Sequence, residues 1–469
     1  MSVSTWFAAK AGNCTSCLYL GNGKNVSARR FATSKRWSKS SKNFLIWNGS
    51  VCSSERSKTV FRRLLAYAEK IFDLSTQVIE RVSDQRSLPR ICTALVVKAA
   101  LAVYWTRVGS LNALALTQSA KFWKSWLEGP LCSADSLGRI VDGMEAASLR
   151  QGIHHVYERL KRNKALPDLH GLAVAVLDGH ETSASYRRCC PGCLKRTLSS
   201  GQTQFYHRNV TLMLLCGSPP DRPAVRLLLD LEPQQLGEGE VATALRLLAR
   251  VLAAYPRAFD LVLADACYAV APFLNFLLAH GKDALVVLKD ERRDAYVDAA
   301  GLWAQQPPQL GSYAPRNCRW WDVADLRFSP KGEKTIRVVR SDESWKVKSQ
   351  LTKELTSHTT SWVWLTTLST AQARTEQVVR LAHLRWDIEN HGFNELVNGW
   401  HADHVYRHRS GAIECFLLLA FLAYNIFHAF FALNLRPELR HGRTMEFWVR
   451  LIAADLHAVP RFAILHPPP

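Results

Sequence analysis

The pattern of apolar and polar positions first predicts a helical region. Between residues 61 and 166, apolar side chains recur every three to four positions, which is typical of amphipathic helices. Within this region the sequence Ser133-Ala-Asp-Ser136 is typical of a helix N-terminus. It predicts a capped amphipathic helix over residues 137–160.

After residue 171 the pattern changes to short apolar runs separated by helical stretches. The turn signal Ser218-Pro-Pro-Asp221 separates two of these runs. The predicted order is three strands, a helix, a strand, a helix and a strand. The segments lie at 172–177, 208–217, 224–231, 240–254, 261–264, 272–280 and 284–288. This order predicts a mixed α/β sheet instead of a strictly alternating one.

The remaining pattern predicts an insertion and a helical end. Residues 302–370 contain strand-like runs among Lys, Ser and Thr, which indicates a β-rich insertion, and residues 373–397 return to helical spacing. Residues 411–433 are long and apolar enough to span a bilayer. They also contain Glu414 and Asn425, which are costly in lipid. We therefore expect a buried helix and no membrane partner.

Composition indicates a folded protein that binds a polyanion. The 469 residues are 48% hydrophobic and 21% charged, which is typical of a globular chain of more than one structural unit. Lys and Arg number 60 against 40 Asp and Glu, a formal net charge of +20. This excess favours nucleic acid or an anionic membrane surface and argues against acidic partners.

Much of the positive charge lies in residues 1–60, where ten basic side chains accompany the single acid Glu55. This head is Ser-rich and has no sustained period, so we expect it to be mainly disordered. Three interpretations stay open: a basic arm that clamps DNA, a transit peptide, or an upstream translation without function. The twelve Cys are scattered along the chain, which favours a reducing compartment inside the cell.

Three carboxylates are candidates for chemistry. Asp178 and Asp265 each follow a predicted strand, and Glu389 lies in a predicted helix. Sites form at the carboxyl ends of strands in open α/β sheets, and converging carboxylates suit hard divalent cations. Two such ions promote phosphodiester chemistry. An Asp after a strand is also a common cap or turn residue, so spacing alone leaves both interpretations open.

The sequences around these acids carry a resemblance. Val176-Leu-Asp178-Gly-His-Glu181, Leu263-Ala-Asp265-Ala-Cys-Tyr268 and Leu384-Arg-Trp-Asp-Ile-Glu389-Asn-His-Gly-Phe393 together resemble the DDE transposases of bacterial insertion sequences. The similar branch is the cut-and-paste one, with a β-rich insertion before the final Glu. The resemblance covers roughly residues 85–435. It implies an RNase H-like core that bears Asp178, Asp265 and Glu389 as catalytic residues.

The resemblance also implies cofactors and DNA contacts. Asp178, Asp265 and Glu389 would bind Mg²⁺ or Mn²⁺, with two ions expected. Arg385 would contact a DNA phosphate and Trp386 would lie near the scissile end. The alternatives are a salt bridge from Arg385 to Asp387 or Glu389, and core packing of Trp386.

The helix that bears the Glu departs from the family signature, Tyr-x2-Arg-x3-Glu-x6-Lys, at two positions. The Tyr position is Ala382 and the Lys position is Leu396. The phosphate contacts that the Tyr and Lys side chains would supply are therefore in doubt.

A basic segment follows the first Asp. The segment contains four cations that would hold the DNA backbone: Arg187, Arg188, Lys195 and Arg196. The alternative is that they form a solvated loop. Within it, Cys190-x2-Cys193 is half of a zinc site, which His180 or His207 would complete. The other C-x2-C pair, Cys14 and Cys17, lies in the head, so we do not expect structural zinc. A helix would place His401, His404 and His408 on one face, which favours a polar face near DNA over a metal site.

The sequence therefore predicts a transposase that cleaves and transfers DNA, with transposon ends and target DNA as partners. The family implies a homodimer, and we expect the protein in the cytoplasm at the nucleoid. A nuclease without strand transfer and an inactive DNA-binding remnant are the alternatives. The predicted regions are a head at 1–60, a helical DNA-binding or dimer region at 61–167, core segments at 168–301 and 372–410, the insertion at 302–371 and a helical end at 411–469.

Overall fold

The computed structural model describes residues 59–117, 121–328, 334–348 and 354–456. These residues all belong to one unit, Ser57–Pro469. The predicted N-terminal head therefore lies outside the described residues, apart from its last two positions.

Helices fill the first part of the described chain, as the apolar spacing predicts. They are α1 (Val60–Phe72), α2 (Thr93–Thr106), α3 (Leu111–Ala115), α4 (Lys121–Trp126), α5 (Ala134–Asp142) and α6 (Ala146–Arg162), with a π-helical turn at Leu74–Ile79. Ser133 caps α5, because its hydroxyl accepts a hydrogen bond from the N–H of Ser136 at 3.2 Å.

The prediction of one helix over residues 137–160 is wrong, since α5 and α6 are separate. The break occurs because the backbone around Gly143 bonds to another segment. The carbonyl of Gly143 accepts from Gln85 at 3.0 Å, and the N–H of Glu145 donates to Ser83 at 3.0 Å. Gly also has a low helix propensity.

A mixed ten-stranded sheet forms the centre of the molecule, as predicted. Its strands are β1 (Val174–Ser185), β2 (Leu194–Thr197), β3 (Thr203–Leu215), β4 (Arg226–Pro233), β5 (Leu261–Ala264), β6 (Asp283–Val287), β7 (Gln309–Tyr313), β8 (Arg316–Arg327), β9 (Thr335–Lys348) and β10 (Leu355–Thr366). Three helices are interspersed: α7 (Glu240–Ala254), α8 (Ala271–Ala279) and α9 (Asp294–Trp303). The order is β2-β3-β1-β5-β6-β10-β9-β8-β7, and β4 also pairs with β3.

The series β4-β3-β1-β5-β6 has the RNase H-like arrangement. β4, β3 and β1 are antiparallel, whereas β1, β5 and β6 are parallel. The strand predicted at 172–177 is correct in place but too short, because β1 continues to Ser185. Its second half is polar, yet it pairs with β3 as far as Ser185 opposite Phe205.

The β-rich insertion extends the same sheet. β10 pairs antiparallel with β6, with Trp364 opposite Val287 and Thr366 opposite Leu285. β9, β8 and β7 then follow outward. The insertion therefore covers the edge that β6 would otherwise expose.

The last elements are helical. They are α10 (Thr375–His383), a π-helical turn (Ile388–Phe393), α11 (Asn394–Trp400), α12 (Ser410–Ala429), a second π-helical turn (Phe430–Asn434), α13 (Pro437–Arg440) and α14 (Met445–Leu456). Residues 373–397 are mainly helical, as predicted, but a π-helical turn interrupts the α-helical geometry. The wider π turn occurs where Gly392 lies against the strand β3, since a Cβ there would be 3.4 Å from the sulfur of Met213.

The long apolar segment is buried, as predicted. Among the described residues, Ser410–Asn434 is long and apolar enough to cross a membrane, and 89% of its most apolar window is buried within the protein. The hydroxyl of Tyr104 donates to the carbonyl of Phe416 at 2.8 Å. The indole of Trp105 donates to the carbonyl of Ala423 at 3.0 Å. The helix α12 is therefore the core to which the N-terminal helices attach.

A buried amide joins α12 to the sheet. The side chain of Asn425 accepts from the N–H of Leu228 and donates to the carbonyl of Leu228, both at 2.9 Å. β4 is irregular at this point, because its register with β3 shifts between Leu212 and Met213. Asn425 thus satisfies backbone groups in the buried part of β4.

Candidate active site

Asp178 and Asp265 lie at the same level on adjacent strands. β1 and β5 are parallel, with Val176 opposite Leu263, and each Asp lies two residues further on. Asp265 follows the last residue of β5, as predicted. Asp178 is not at the end of its strand, because β1 continues to Ser185. It lies where β5 stops, so the edge of β1 that faced β5 becomes open there.

Glu389 joins this site through Arg385. The Nη1 atom of Arg385 is 2.9 Å from Oε1 of Glu389 and 3.5 Å from Oδ2 of Asp178. Arg385 is 5% exposed, so its guanidinium faces inward. The structure thus contains the salt bridge to Glu389 that was one alternative for Arg385. Asp387 instead pairs with Arg226 at 2.9 Å.

The two aspartates have different pKa values. Burial raises the pKa of Asp178 to about 7, and the nearby acids Glu389 and Glu240 add to this while Arg385 opposes it. Burial acts in the same direction on Asp265. There, a backbone hydrogen bond from Ala266 and the charges of Arg385 and Lys289 outweigh burial and hold the pKa below its usual value. A cation at Asp178 would favour the ionised form.

The donor set fits a hard divalent ion. All three candidate ligands are carboxylates, which are the donors that Mg²⁺ and Mn²⁺ prefer. Among the described residues, the potential metal ligands that lie within 4.8 Å of one another in a group of three or more are Cys and His side chains, not these carboxylates. The carboxylates therefore lie further apart, with the guanidinium of Arg385 between Asp178 and Glu389.

Sequence reasoning missed two charged residues beside the triad. Lys289, two residues after the end of β6, places Nζ 3.2 Å from Oδ1 of Asp265. Glu240, in the first turn of α7, accepts from the hydroxyl of Tyr268 at 2.8 Å and pairs with Arg208. The position of Lys289 after the next parallel strand was a usable signal. No sequence signal indicated Glu240, because its approach to the carboxylate site depends on how α7 packs on the sheet.

The departures from the family signature occupy core positions. Ala382 and Leu396 are both buried, so neither position presents a side chain to DNA. Trp386 is 39% exposed, and the Arg385 guanidinium stacks on its ring at 4.1 Å from the centroid. Trp386 is therefore a partly exposed residue at the rim of the carboxylate site.

The basic residues after Asp178 differ in availability. Arg187, Arg188 and Lys195 are exposed. Arg196 instead forms two hydrogen bonds to Glu181, at 2.7 and 2.8 Å, and lies over the ring of Tyr206. The first three therefore present free surface charge, whereas Arg196 braces β2 against β1.

The cysteine and histidine candidates come together differently from the prediction. Cys190 and Cys193 lie with His207 and His408, whereas His180 stacks on Phe393 at 4.5 Å between ring centroids. The predicted helical face of histidines is wrong, because residues 401–409 form turns and bends between α11 and α12. These non-helical residues bring His408 to the cysteines.

The sheet topology is that of an RNase H-like domain. Residues 225–426 match the family model described as transposase DDE domain. This match supports the DDE transposase family that the sequence predicts. The matched segment includes Asp265 and Glu389 but begins after Asp178. A search of curated proteins gave no match.

Proposed function

We propose that the chain catalyses metal-dependent DNA cleavage and strand transfer at the ends of an insertion sequence. The register of β1 and β5 carries this proposal, because it sets Asp178 level with Asp265 beside Glu389. The family match supports the class of enzyme. The insertion between β6 and the Glu389 turn supports the cut-and-paste branch.

In this proposal Asp178, Asp265 and Glu389 hold two Mg²⁺ or Mn²⁺ ions. Bound ions of this kind activate the attacking hydroxyl and stabilise the leaving oxygen of a phosphodiester. Arg385 is a counter-ion for Asp178 and Glu389, a role that bound cations would share. Lys289 keeps Asp265 ionised and adds positive charge where the DNA backbone approaches.

The DNA partners are the element ends and the target. The exposed cations Arg187 and Arg188 lie on the loop that leaves β1 beyond Asp178, and the exposed Lys195 lies in β2 directly after this loop. There they would neutralise phosphates. Trp386 would lie beside the scissile end. Two ends must be held together for strand transfer, so we propose a homodimer that acts in the cytoplasm at the nucleoid.

The decisive test is cleavage and strand transfer on the element's own end DNA with Mg²⁺ or Mn²⁺. The variants are Asp178→Asn, Asp265→Asn and Glu389→Gln, which remove charge and keep shape. Asp290→Asn is the matched control, because Asp290 pairs with Arg292 at 3.0 Å at the end of the neighbouring strand. We expect the three variants to bind DNA without cutting it, and the control to cut at the wild-type rate.

Other outcomes separate the alternatives. Cleavage without joining would identify a nuclease and refute strand transfer. A wild-type protein that binds DNA but never cuts would be an inactive remnant. Calorimetric titration with Mn²⁺ gives a readout independent of activity, because binding should weaken in Asp265→Asn and stay unchanged in Asp290→Asn.

A further inference from the structure

Four potential metal ligands meet next to the basic loop, away from the carboxylates. Cys190 and Cys193 lie in the connection between β1 and β2, and His207 lies on β3. His408 comes from the turns before α12. The ligand atoms of all four lie within 4.8 Å of one another, and Cys190, Cys193 and His207 are buried.

Four of the six distances between the ligand atoms are close to those of a tetrahedral zinc site. The two Sγ atoms are 3.6 Å apart. The Nε2 atom of His207 is 3.3 Å from each sulfur, and the Nε2 atom of His408 is 3.5 Å from the sulfur of Cys193. Zinc bond lengths give tetrahedral edges of about 3.8 Å between two sulfurs and about 3.5 Å between sulfur and nitrogen. Each observed separation is within about 0.2 Å of these values.

The cysteines are not joined to each other. Both are free thiols, and their sulfurs are 3.6 Å apart, whereas a disulfide requires about 2.0 Å. Two imidazole nitrogens also approach the sulfurs, which a simple C-x2-C redox pair does not require.

The surrounding backbone supports a built site. The N–H of Cys190 donates to the sulfur of Cys193 at 3.2 Å, and the N–H of Cys193 donates to the carbonyl of Cys190 at 3.0 Å. A Cβ at Gly192 would be 2.0 Å from Oγ of Ser410, so Gly192 allows the loop to approach the start of α12. Ser410 lies 3.8 Å from the sulfur of Cys190, where its hydroxyl can orient that ligand.

Zinc is bound by neutral imidazoles and by thiolates, so a bound ion would set the protonation states of this cluster. Burial lowers the pKa of His207 to about 4, and burial also lowers the pKa of His408. The neutral imidazole is the form that binds metal. Burial raises the pKa of the Cys193 thiol to about 11. A bound cation would convert this thiol to a thiolate and release its proton.

We propose that Cys190, Cys193, His207 and His408 bind one structural zinc ion. The ion joins the loop after β1 to the chain that follows the Glu389 turn, so it holds both segments that leave the carboxylate site. It also fixes the base of the loop that carries Arg187 and Arg188. This inference replaces the sequence-based expectation of no structural zinc.

Metal analysis of the full chain tests the proposal without DNA or activity. The protein is purified from zinc-supplemented cells, dialysed, and measured by plasma mass spectrometry. We expect one zinc per chain in the wild type, and loss of zinc in Cys193→Ser and His408→Ala. Cys189→Ser and His404→Ala are matched controls, since each changes the same residue type outside the cluster, and both should retain zinc.

Cobalt substitution keeps the test informative if a variant folds poorly. Wild-type protein loaded with Co²⁺ should show the visible bands of a tetrahedral thiolate site. Absence of both zinc and these bands, with both thiols reduced, would refute the proposal. Zinc retained in Cys193→Ser but lost in Asp265→Asn would also refute it, because the ion would then occupy the carboxylate site. Loss of zinc does not bear on the catalytic proposal, which depends on Asp178, Asp265 and Glu389.

Discussion

Gly179, the residue after Asp178, offers a sharp test of the carboxylate site. A Cβ at this position would be 2.6 Å from the carboxyl carbon and from one oxygen of Glu240. Glu240 cannot easily move, because Tyr268 and Arg208 hold its carboxylate. Gly179→Ala must therefore displace either Glu240 or the part of β1 that carries Asp178.

The size of the effect follows from the displacement. Ordinary van der Waals contact begins at 3.4 Å, against 2.6 Å for the added Cβ, so the atoms must separate by about 0.8 Å. Overpacking of this kind costs about 1–3 kcal/mol of stability. A shift of ~1 Å at a catalytic group lowers the rate by roughly 10²-fold. We therefore expect a folded, moderately destabilised protein that cleaves DNA about 100-fold more slowly.

The assay is single-turnover cleavage of end DNA together with thermal unfolding. Gly301→Ala is the control, because Gly301 lies in α9 and a Cβ there meets nothing within 4 Å. It should leave cleavage unchanged and leave stability equal or slightly higher.

A double-mutant cycle with Glu240→Ala decides whether the reasoning is correct. Glu240→Ala removes the atoms that the new Cβ would meet, so Gly179→Ala should have little further effect in that background. An equal loss of cleavage in both backgrounds would refute the steric explanation. Wild-type cleavage by Gly179→Ala alone would refute the geometry of the site.

Three further predictions concern other parts of the molecule. Asn425→Ala leaves two buried backbone groups of Leu228 unpaired and should lower the free energy of unfolding by about 2–4 kcal/mol; an unchanged urea midpoint would contradict this. The hydrogen bond from Arg86 lowers the pKa of Asp84 to about 2. The ionised carboxylate therefore stabilises the fold above about pH 4, and this contribution is lost as the pH falls towards 2. Asp84→Asn should reduce this loss of stability at acid pH, measured as the unfolding temperature at a series of pH values. An unaltered dependence of the unfolding temperature on pH would contradict the assignment. Arg188→Ala should weaken DNA binding uniformly across sequences and reduce the salt slope by about 1, whereas an unchanged slope would remove Arg188 from the DNA interface.

The sequence predicts elements best where periodicity and burial agree. The bounds of α7 and β5 match their predicted ranges, since α7 has a long helical period and β5 is a wholly buried apolar run. β1 was predicted too short because its polar second half pairs only with β3 beyond the end of β5. Alternation of apolar residues cannot reveal a strand that is held mainly by backbone pairing.

The candidate site could be predicted only in part, for a similar reason. The three acids could be proposed from the sequence because each occurs in a recognisable local motif. The inward position of Arg385 and the approach of Glu240 depend on how separate elements pack, which no local pattern encodes. The metal cluster was underestimated because His408 is 215 residues from Cys193 along the chain, and because a helical period was assumed where the chain forms turns.

The dependence of the N-terminal helices on α12 has a consequence for synthesis. Tyr104 and Trp105 bond to carbonyls that lie 312 and 318 residues later in the chain. At ~5–20 residues per second, a ribosome needs about 15–60 s to make that stretch. During this interval the nascent helices expose the apolar surface that α12 covers in the folded chain, and chaperones bind such surface. Tyr104 and Trp105 therefore gain these buried hydrogen bonds only after α12 has been synthesised.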